Sequence, residues 1–380
     1  MRLLDGVVVL DFAQYLAGPW AATKLADLGA RVIKIERPQG GDNSRRLTLC
    51  NLVIDGDSTV FHSQNRNKES YTADLKNPED LIRIKKLIAQ SDVMIQNFRP
   101  GIMEKLGLAY EDVKQINPRM VYASVTGYGG DGPLVKKPGQ DLIVQAMTAI
   151  PWLNGNDGQD PVPIGVAAID MFTTMNVVEG VLAALFAREK SGIGAYIEAS
   201  LMESSIDFQF EVMTTYLNNG GELQARSAVS NGHPYLPAPY GIYKTKDGYM
   251  CVSMTPIDGL GELLGCKELS MYKDSEAWFT SRDEIKQILS NHLLTNTTDY
   301  WLSILEPKDI WCGKVNTVRD LVEDETLAYV DMIQEVERQN GTKVKTTRSP
   351  LRINGEKLFA RKGAPVLGED TEKINIEFNL

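Results

Sequence analysis

The sequence predicts an α/β fold built on a mostly parallel sheet, with a smaller α+β domain beside it. Three observations carry this expectation. Short, almost continuously apolar and β-branched runs recur through the first hundred residues, and helical segments separate them. After Asn219 the pattern changes to an antiparallel hairpin followed by polar helices.

Val7-Val8-Val9-Leu10-Asp11-Phe12 reads as the first buried strand. Gly18-Pro19 opens a helix over 20–28, with proline at an early helical position, and Gly29 closes it. Arg31–Glu36 is the next strand, so the chain opens on a βαβ unit, which implies a right-handed crossover. A strand at 71–75, a helix over 79–90 and a strand over 92–98 repeat the pattern. A further strand, 120–128, runs into a Gly-, Pro- and Lys-rich loop, 129–139. Long helices are expected at 171–190 and 202–218, with a strand at 196–201 between them. Segments 239–245 and 249–254 flank Asp247-Gly248, a hairpin turn signal, and extended sequence returns over 344–353. The expected division is a large Rossmann-like domain, 1–218 plus 326–380, and a small α+β domain, 219–325.

The 380 residues are 43% hydrophobic and 24% charged, the balance of a globular chain rather than a disordered one. A net charge of −10 argues against nucleic acid as a partner, because phosphate binding needs a basic face. An anionic ligand would need local cations. Cys50, Cys251, Cys266 and Cys312 form no CxxC and have no nearby histidine. Reduced, mostly buried thiols in a cytoplasmic protein are therefore expected, with no metal site. The start runs directly into a strand, so no signal peptide is expected. No uncharged apolar stretch reaches about 18 residues, so no membrane span is expected.

The first βα turn reads Leu16-Ala17-Gly18-Pro19-Trp20-Ala21-Ala22 and lacks the G-x-G-x-x-G that brings a pyrophosphate against the backbone. A nicotinamide or flavin is therefore not expected. There is no Walker sequence, no G-x-S-x-G elbow and no H-E-x-x-H, and His62, His233 and His292 are too scattered for a triad.

A different set of phrases runs through the chain: Leu4-Asp5-Gly6 with Val9-Leu10-Asp11-Phe12, Ala17-Gly18-Pro19, Leu28-Gly29-Ala30, and Val32-Ile33-Lys34-Ile35-Glu36-Arg37. Asn65-Arg66-Asn67-Lys68, Asp74-Leu75-Lys76, Gln96-Asn97-Phe98-Arg99-Pro100-Gly101, Asn117-Pro118-Arg119 and Gly127-Tyr128-Gly129 follow, and Pro365-Val366-Leu367-Gly368-Glu369-Asp370-Thr371 ends the series. In this order they resemble the class III CoA-transferases, most strongly over residues 1–205. The resemblance implies transfer of CoA from an acyl-CoA to a carboxylic acid, with CoA thioesters as substrates and no permanently bound cofactor. It also implies an interlocked homodimer with the active site between domains.

By that resemblance Asp170 is the nucleophile. It stands between Val166-Ala167-Ala168-Ile169 and Met171-Phe172, where an apolar, strand-like run meets a long helix. The plain structural alternative is a helix N-cap. No capping-box Glu or Gln follows, Thr173 holding that place, and the apolar neighbours suit a poorly hydrated carboxylate. A carboxylate attacking a thioester gives a mixed anhydride that CoA thiolate reopens, so activation is kept if water is excluded. Backbone N–H groups at the helix start are expected to stabilise the oxyanion.

The resemblance assigns Leu16 and Ala17 to the pantetheine path, and Arg37, Ala73 and Lys76 to the adenine and phosphates. Asn97, Phe98, Lys105, Leu106 and Leu201 are carried over to the same groove. Lys136-Lys137 read equally as a charged loop, and Asp141 equally as the N-cap of a helix over 142–147. Formyl-CoA transferase has glutamine at Leu16, tyrosine at Gln140, and a glycine run where this chain reads Asn231-Gly232-His233-Pro234-Tyr235-Leu236. These departures argue against an oxalate/formate specificity and make Gln140, Gly232 and His233 candidates for acceptor selection. The related α-methylacyl-CoA racemase uses a histidine where Gln140 stands, and glutamine is no proton acceptor near neutral pH. A catalytically silent CoA-binding protein is the third alternative, disfavoured because it need not keep Asp170.

Overall fold

The computed structural model describes residues 2–380, which fall into two compact units. The first comprises the chain up to Val144, Ala167–Phe208 and Ala328–Leu380; the second comprises Gln145–Val166 and Gln209–Leu327. The second unit thus takes in 145–166 and 209–218, which the sequence pattern places in the large domain.

The first unit is a mixed α/β layer structure around six parallel strands: β1 (Val8–Asp11), β2 (Arg31–Glu36), β3 (Lys68–Thr72), β4 (Val93–Gln96), β5 (Val121–Thr126) and β6 (Tyr196–Ser200). Their order is β3-β2-β1-β4-β5-β6, with Val9 beside both Val32 and Val93. That order reverses direction between β1 and β4, as in doubly wound nucleotide-binding sheets. The apolar runs are continuous because both faces are covered. Val9 points to the layer of α1 (Ala17–Asp27) and α3 (Ala168–Ser191), packing with Ala21, Leu25, Val177 and Val181. Its neighbour Leu10 points to the layer of α2 (Pro78–Ala89), with Ile84, Leu87 and Met94. Gly18 is required by this packing, since a Cβ there would lie 2.3 Å from that of Ala13.

α3 is long and apolar enough, by length and composition, to cross a membrane. It carries Asp170, Glu179 and Arg188, and buries Val177, Val181 and Leu185 in the core.

The tail phrase 365–371 has a structural task at the sheet edge. Asp370 Oδ2 accepts from Ser70 N at 2.9 Å, Thr371 Oγ1 accepts from Thr72 N at 3.0 Å, and Gly368 N donates to Ser70 Oγ at 2.8 Å. The free edge of β3 is thereby covered rather than left open to pairing with another strand.

The second unit contains an antiparallel sheet of β7 (Gly241–Lys244), β8 (Tyr249–Val252) and β9 (Cys312–Lys314), with β8 central. Tyr243, Met250 and Val252 pack on helices α4 (Ile257–Leu264), α5 (Arg282–Leu293) and α6 (Thr298–Leu305).

Several elements differ from expectation. The third parallel strand is Lys68–Thr72, not 71–75, because its first two residues are charges that are buried and paired, Lys68 with Asp11 and Glu69 with Arg31. The helix expected over 202–218 breaks at Gln209 into Leu201–Phe208 and Phe210–Asn218. Segment 166–169 is no strand, since α3 already begins at Ala168. Strand β9 and the first strand of the hairpin Ile333–Glu337/Lys343–Thr347 were not anticipated; the latter buries only Gln334 and Val336, too weak a pattern to read. The thiols are all free but not mostly buried: Cys266 is buried, Cys251 and Cys312 are half-buried, and Cys50 is exposed.

Candidate active site

The groove of the first unit lies at the carboxyl ends of β1 to β4, where an open α/β sheet places ligands. Phe12, Gln14, Ile35, Phe98 and Leu106 line it together with Arg37, Ala73 and Lys76. Five residues carried over for CoA, namely Arg37, Ala73, Lys76, Phe98 and Leu106, therefore share one cavity. It offers an apolar floor with two exposed cations at its rim, Arg37 and Lys76. Arg37 Nη2 also donates to Gly41 O at 3.0 Å and Asn43 Oδ1 at 2.8 Å, which orients the guanidinium.

The other assigned residues stand around this groove or away from it. Asn97 grips the backbone of Gln14 from both sides, accepting from its N–H at 2.8 Å and donating to its carbonyl at 2.7 Å. Leu16 is the residue before α1 and Ala17 its buried first residue. Lys105 is exposed on the short helix Ile102–Leu106, and Lys137 and Gln140 are exposed in their loop. Leu201 is buried at the start of the helix after β6, outside the groove lining. Gly232 and His233 belong to the second unit.

Beneath the first βα turn lies a set of fully buried charges. Lys34 Nζ lies 2.8 Å from Asp42 Oδ2 and 3.4 Å from Asp11 Oδ2, and donates to Ala13 O at 2.9 Å. Lys68 Nζ donates to Asp11 Oδ2 at 2.7 Å, Asn65 Oδ1 at 2.8 Å and Pro19 O at 2.7 Å. Asp42 Oδ1 accepts from Tyr15 N at 3.2 Å, holding a residue whose φ of 67° is uncommon outside glycine. Burial opposes both ammonium groups. On Lys68 it prevails and lowers the pKa to about 8, whereas on Lys34 the carboxylates of Asp11 and Asp42 outweigh it and hold the pKa above the usual lysine value. The turn is thus tied at Ala13, Tyr15 and Pro19 by charges from three strands and a loop.

Asp170 occupies the third position of α3, after the uncapped residue Ala167, and so is not the N-cap. The cap comes from Asp141, whose Oδ2 accepts from Ile169 N at 2.8 Å and from Asp170 N at 3.0 Å. Burial, and then the nearby Asp141 charge, push the Asp170 pKa up to about 7. Asp141 already occupies two of the helix-start N–H groups that the sequence reading assigns to an oxyanion. One turn further along the same face, Thr174 Oγ1 donates to Ala17 O at 2.9 Å. This bond ties the helix carrying Asp170 to the turn assigned to pantetheine.

CoA-transferase family III, as a sequence profile, matches residues 4–371. The chain belongs to that family. It is 33% identical to succinyl-CoA:glutarate CoA-transferase of Mus musculus, covering 98% of this chain and 86% of that protein. It is 30% identical to the succinate–glutarate CoA-transferase of Agrobacterium fabrum, over 98% of this chain and 95% of the other. The crystal structure of a CAIB/BAIF family protein from Brucella suis superimposes with a TM-score of 0.85 at 32% identity, covering 98% of both chains. As a family III CoA-transferase the protein acts on CoA thioesters.

Sequence reasoning passed over Asp42 and Thr174. Asp42 carries the weak signal of an Asp two residues before Ser44, whose N–H it accepts at 2.8 Å; nothing in the sequence marks Thr174. The Asp141–Asp170 pair has a measurable consequence. Both N–H bonds go to one oxygen, so Asp141→Asn should keep the cap while removing the charge. Asp170 then ionises more easily, and the acidic limb of the pH profile of kcat/KM for acyl-CoA should move to lower pH. An unmoved limb would show that Asp141 does not act on Asp170 electrostatically.

Proposed function

We propose that this family III CoA-transferase moves CoA from a dicarboxylic acyl-CoA of the succinyl-CoA type to a short dicarboxylic acid of the glutarate type, with Asp170 as the nucleophile. Asp170 Oδ attacks the thioester carbonyl and expels CoA thiolate, giving a mixed anhydride. The thiolate attacks Asp170 Cγ, releasing the donor's acid and leaving an aspartyl-CoA thioester. The acceptor carboxylate attacks Cγ and expels CoA thiolate again. The thiolate then attacks the acceptor's acyl carbon, forming the new acyl-CoA and restoring the Asp170 carboxylate. No metal or nicotinamide takes part in these steps.

The observation that carries this reading is the placing of Asp170 near the start of α3, relieved of capping by Asp141 and tied through Thr174 to the turn assigned to pantetheine, with burial pushing its pKa up to about 7. The donor and acceptor classes rest on the names of the mouse and Agrobacterium proteins. A cytoplasmic setting accords with four unpaired cysteines. A homodimer is part of the proposal and is supported by Met175 and Phe186, both more than half exposed and three turns apart on one face of α3.

The test is mass spectrometry of the protein incubated with succinyl-CoA, then with a panel of acids. Enzyme-bound CoA and formation of glutaryl-CoA are expected. Transfer to monocarboxylic acids alone would remove the dicarboxylate assignment, and light scattering that returns a stable monomer would remove the dimer.

A further inference from the structure

In the second unit, two cations one turn apart on α5 point at a single loop. Arg282 Nη2 donates to Ala225 O at 2.9 Å and its Nη1 to Pro234 O at 2.5 Å. Lys286, with no exposed surface, donates to Ser227 Oγ at 3.0 Å, Ser230 O at 3.2 Å and Tyr240 O at 2.8 Å. All three ammonium hydrogens are used, and every acceptor is neutral. We infer that Lys286, seconded by Arg282, is the positioning residue that sets the conformation of loop 225–241, and through it the placing of Gly232 and His233.

The geometry gives this lysine reach over both ends of the loop. Ser227 and Ser230 precede the 231–236 phrase and Tyr240 follows it, so one buried group closes the segment. Within that frame the loop is specified further. Asn231 Oδ1 accepts from Ser227 N at 3.2 Å, and Asn231 N donates to Asn156 Oδ1 at 2.9 Å. Gly232 has no room for a side chain, since a Cβ would lie 2.8 Å from Tyr240 Cδ1. His233 Nδ1 accepts from Tyr235 N at 3.1 Å, which leaves its proton on Nε2, 3.2 Å from Glu211 Oε1. A long apolar side chain at 286 would fill the same space without desolvating a charge, so hydrophobic stability alone does not call for lysine. Burial, then the charge of Arg282, lowers the Lys286 pKa to about 8, and at neutral pH the group still carries all three hydrogens.

The inference deepens the proposed function and rests on it together with the sequence reading of Gly232 and His233 as acceptor-selecting residues. Two readouts keep the two apart. In Lys286→Met, amide hydrogen exchange across 225–241 should rise about tenfold or more, the equivalent of one lost charged hydrogen bond. The KM for the acceptor acid should rise by a similar factor, while loading of CoA from the donor stays within about twofold, the mark of a residue acting on one substrate. Unchanged exchange overturns the clasp, and raised exchange with an unmoved acceptor KM overturns its positioning role. If Lys286→Met does not fold, Ser227→Ala removes one acceptor; a smaller rise in both quantities supports the clasp, and no rise in exchange overturns it. Should the wild-type protein transfer no CoA, the proposed function fails while exchange still judges the clasp.

Discussion

Asp170→Asn should fold, bind acyl-CoA, and lose CoA transfer by on the order of 10⁴-fold or more, as nucleophile deletions do. Asparagine is nearly isosteric but cannot form the anhydride, so no enzyme-bound CoA should accumulate. Stability should change in the opposite direction. The wild-type carboxyl is raised from the ordinary aspartate value of 3.8 to about 7, so between these values the folded state holds a proton that the unfolded state has released. Stability from this group therefore falls as pH rises through that window and stays low above it. Asp170→Asn removes the penalty and should be more stable by about 2–4 kcal/mol at pH 8, at roughly 1.4 kcal/mol for each tenfold change in proton affinity. Below pH 4 the two proteins should converge. Urea denaturation at both pH values, with activity and intact mass read on the same sample to detect deamidation, decides the matter. A fully active asparagine variant would falsify the mechanism and leave the family assignment standing.

The fold was legible wherever burial on two faces left an apolar run, as in Val8–Asp11 and Arg31–Glu36. It was misread where charges replace apolar residues inside the sheet. Lys68 and Glu69 look like loop residues until Asp11 and Arg31 are seen beside them, and those partners lie 57 and 38 positions away in sequence. Of the residues carried over for CoA that line the groove, Arg37, Lys76 and Phe98 sit in recognisable phrases, whereas Ala73 and Leu106 lie next to or beyond one. The cap on α3 was not, because Asp141 reaches it from 28 and 29 residues upstream rather than from the helix's own flank. Local capping rules read only neighbouring residues. Those two distant bonds also take up N–H groups that the sequence reading assigns to the oxyanion.

Asp11→Asn should destabilise the protein by about 3–5 kcal/mol, the range for breaking a buried ion pair from one side. Asp11 has no exposed surface and lies against two ammonium groups that are equally buried. Lys34 retains Asp42 as a partner at 2.8 Å, but the hydrogen bonds left to Lys68 are those to the neutral oxygens of Asn65 and Pro19, with Asp42 acting on it only at longer range. Its pKa, already lowered to about 8 by burial, should fall further. The folded variant then holds fewer protons than the unfolded chain up to the ordinary lysine value, so its stability rises with pH across that interval. The loss relative to wild type should accordingly be larger at pH 7 than at pH 10. Lys68→Met added to Asp11→Asn removes the stranded charge and should recover part of the loss, which a mere packing defect at Asp11 would not allow. Binding should weaken alongside, because Ala13 N bonds Asp11 Oδ1 at 3.0 Å and Ala13 forms part of the groove wall. Urea midpoints at the two pH values and CoA titration of the folded fraction measure both effects. A single variant within about 0.5 kcal/mol of wild type, the range of ordinary surface substitutions, would mean that the buried charges do not hold this turn in place.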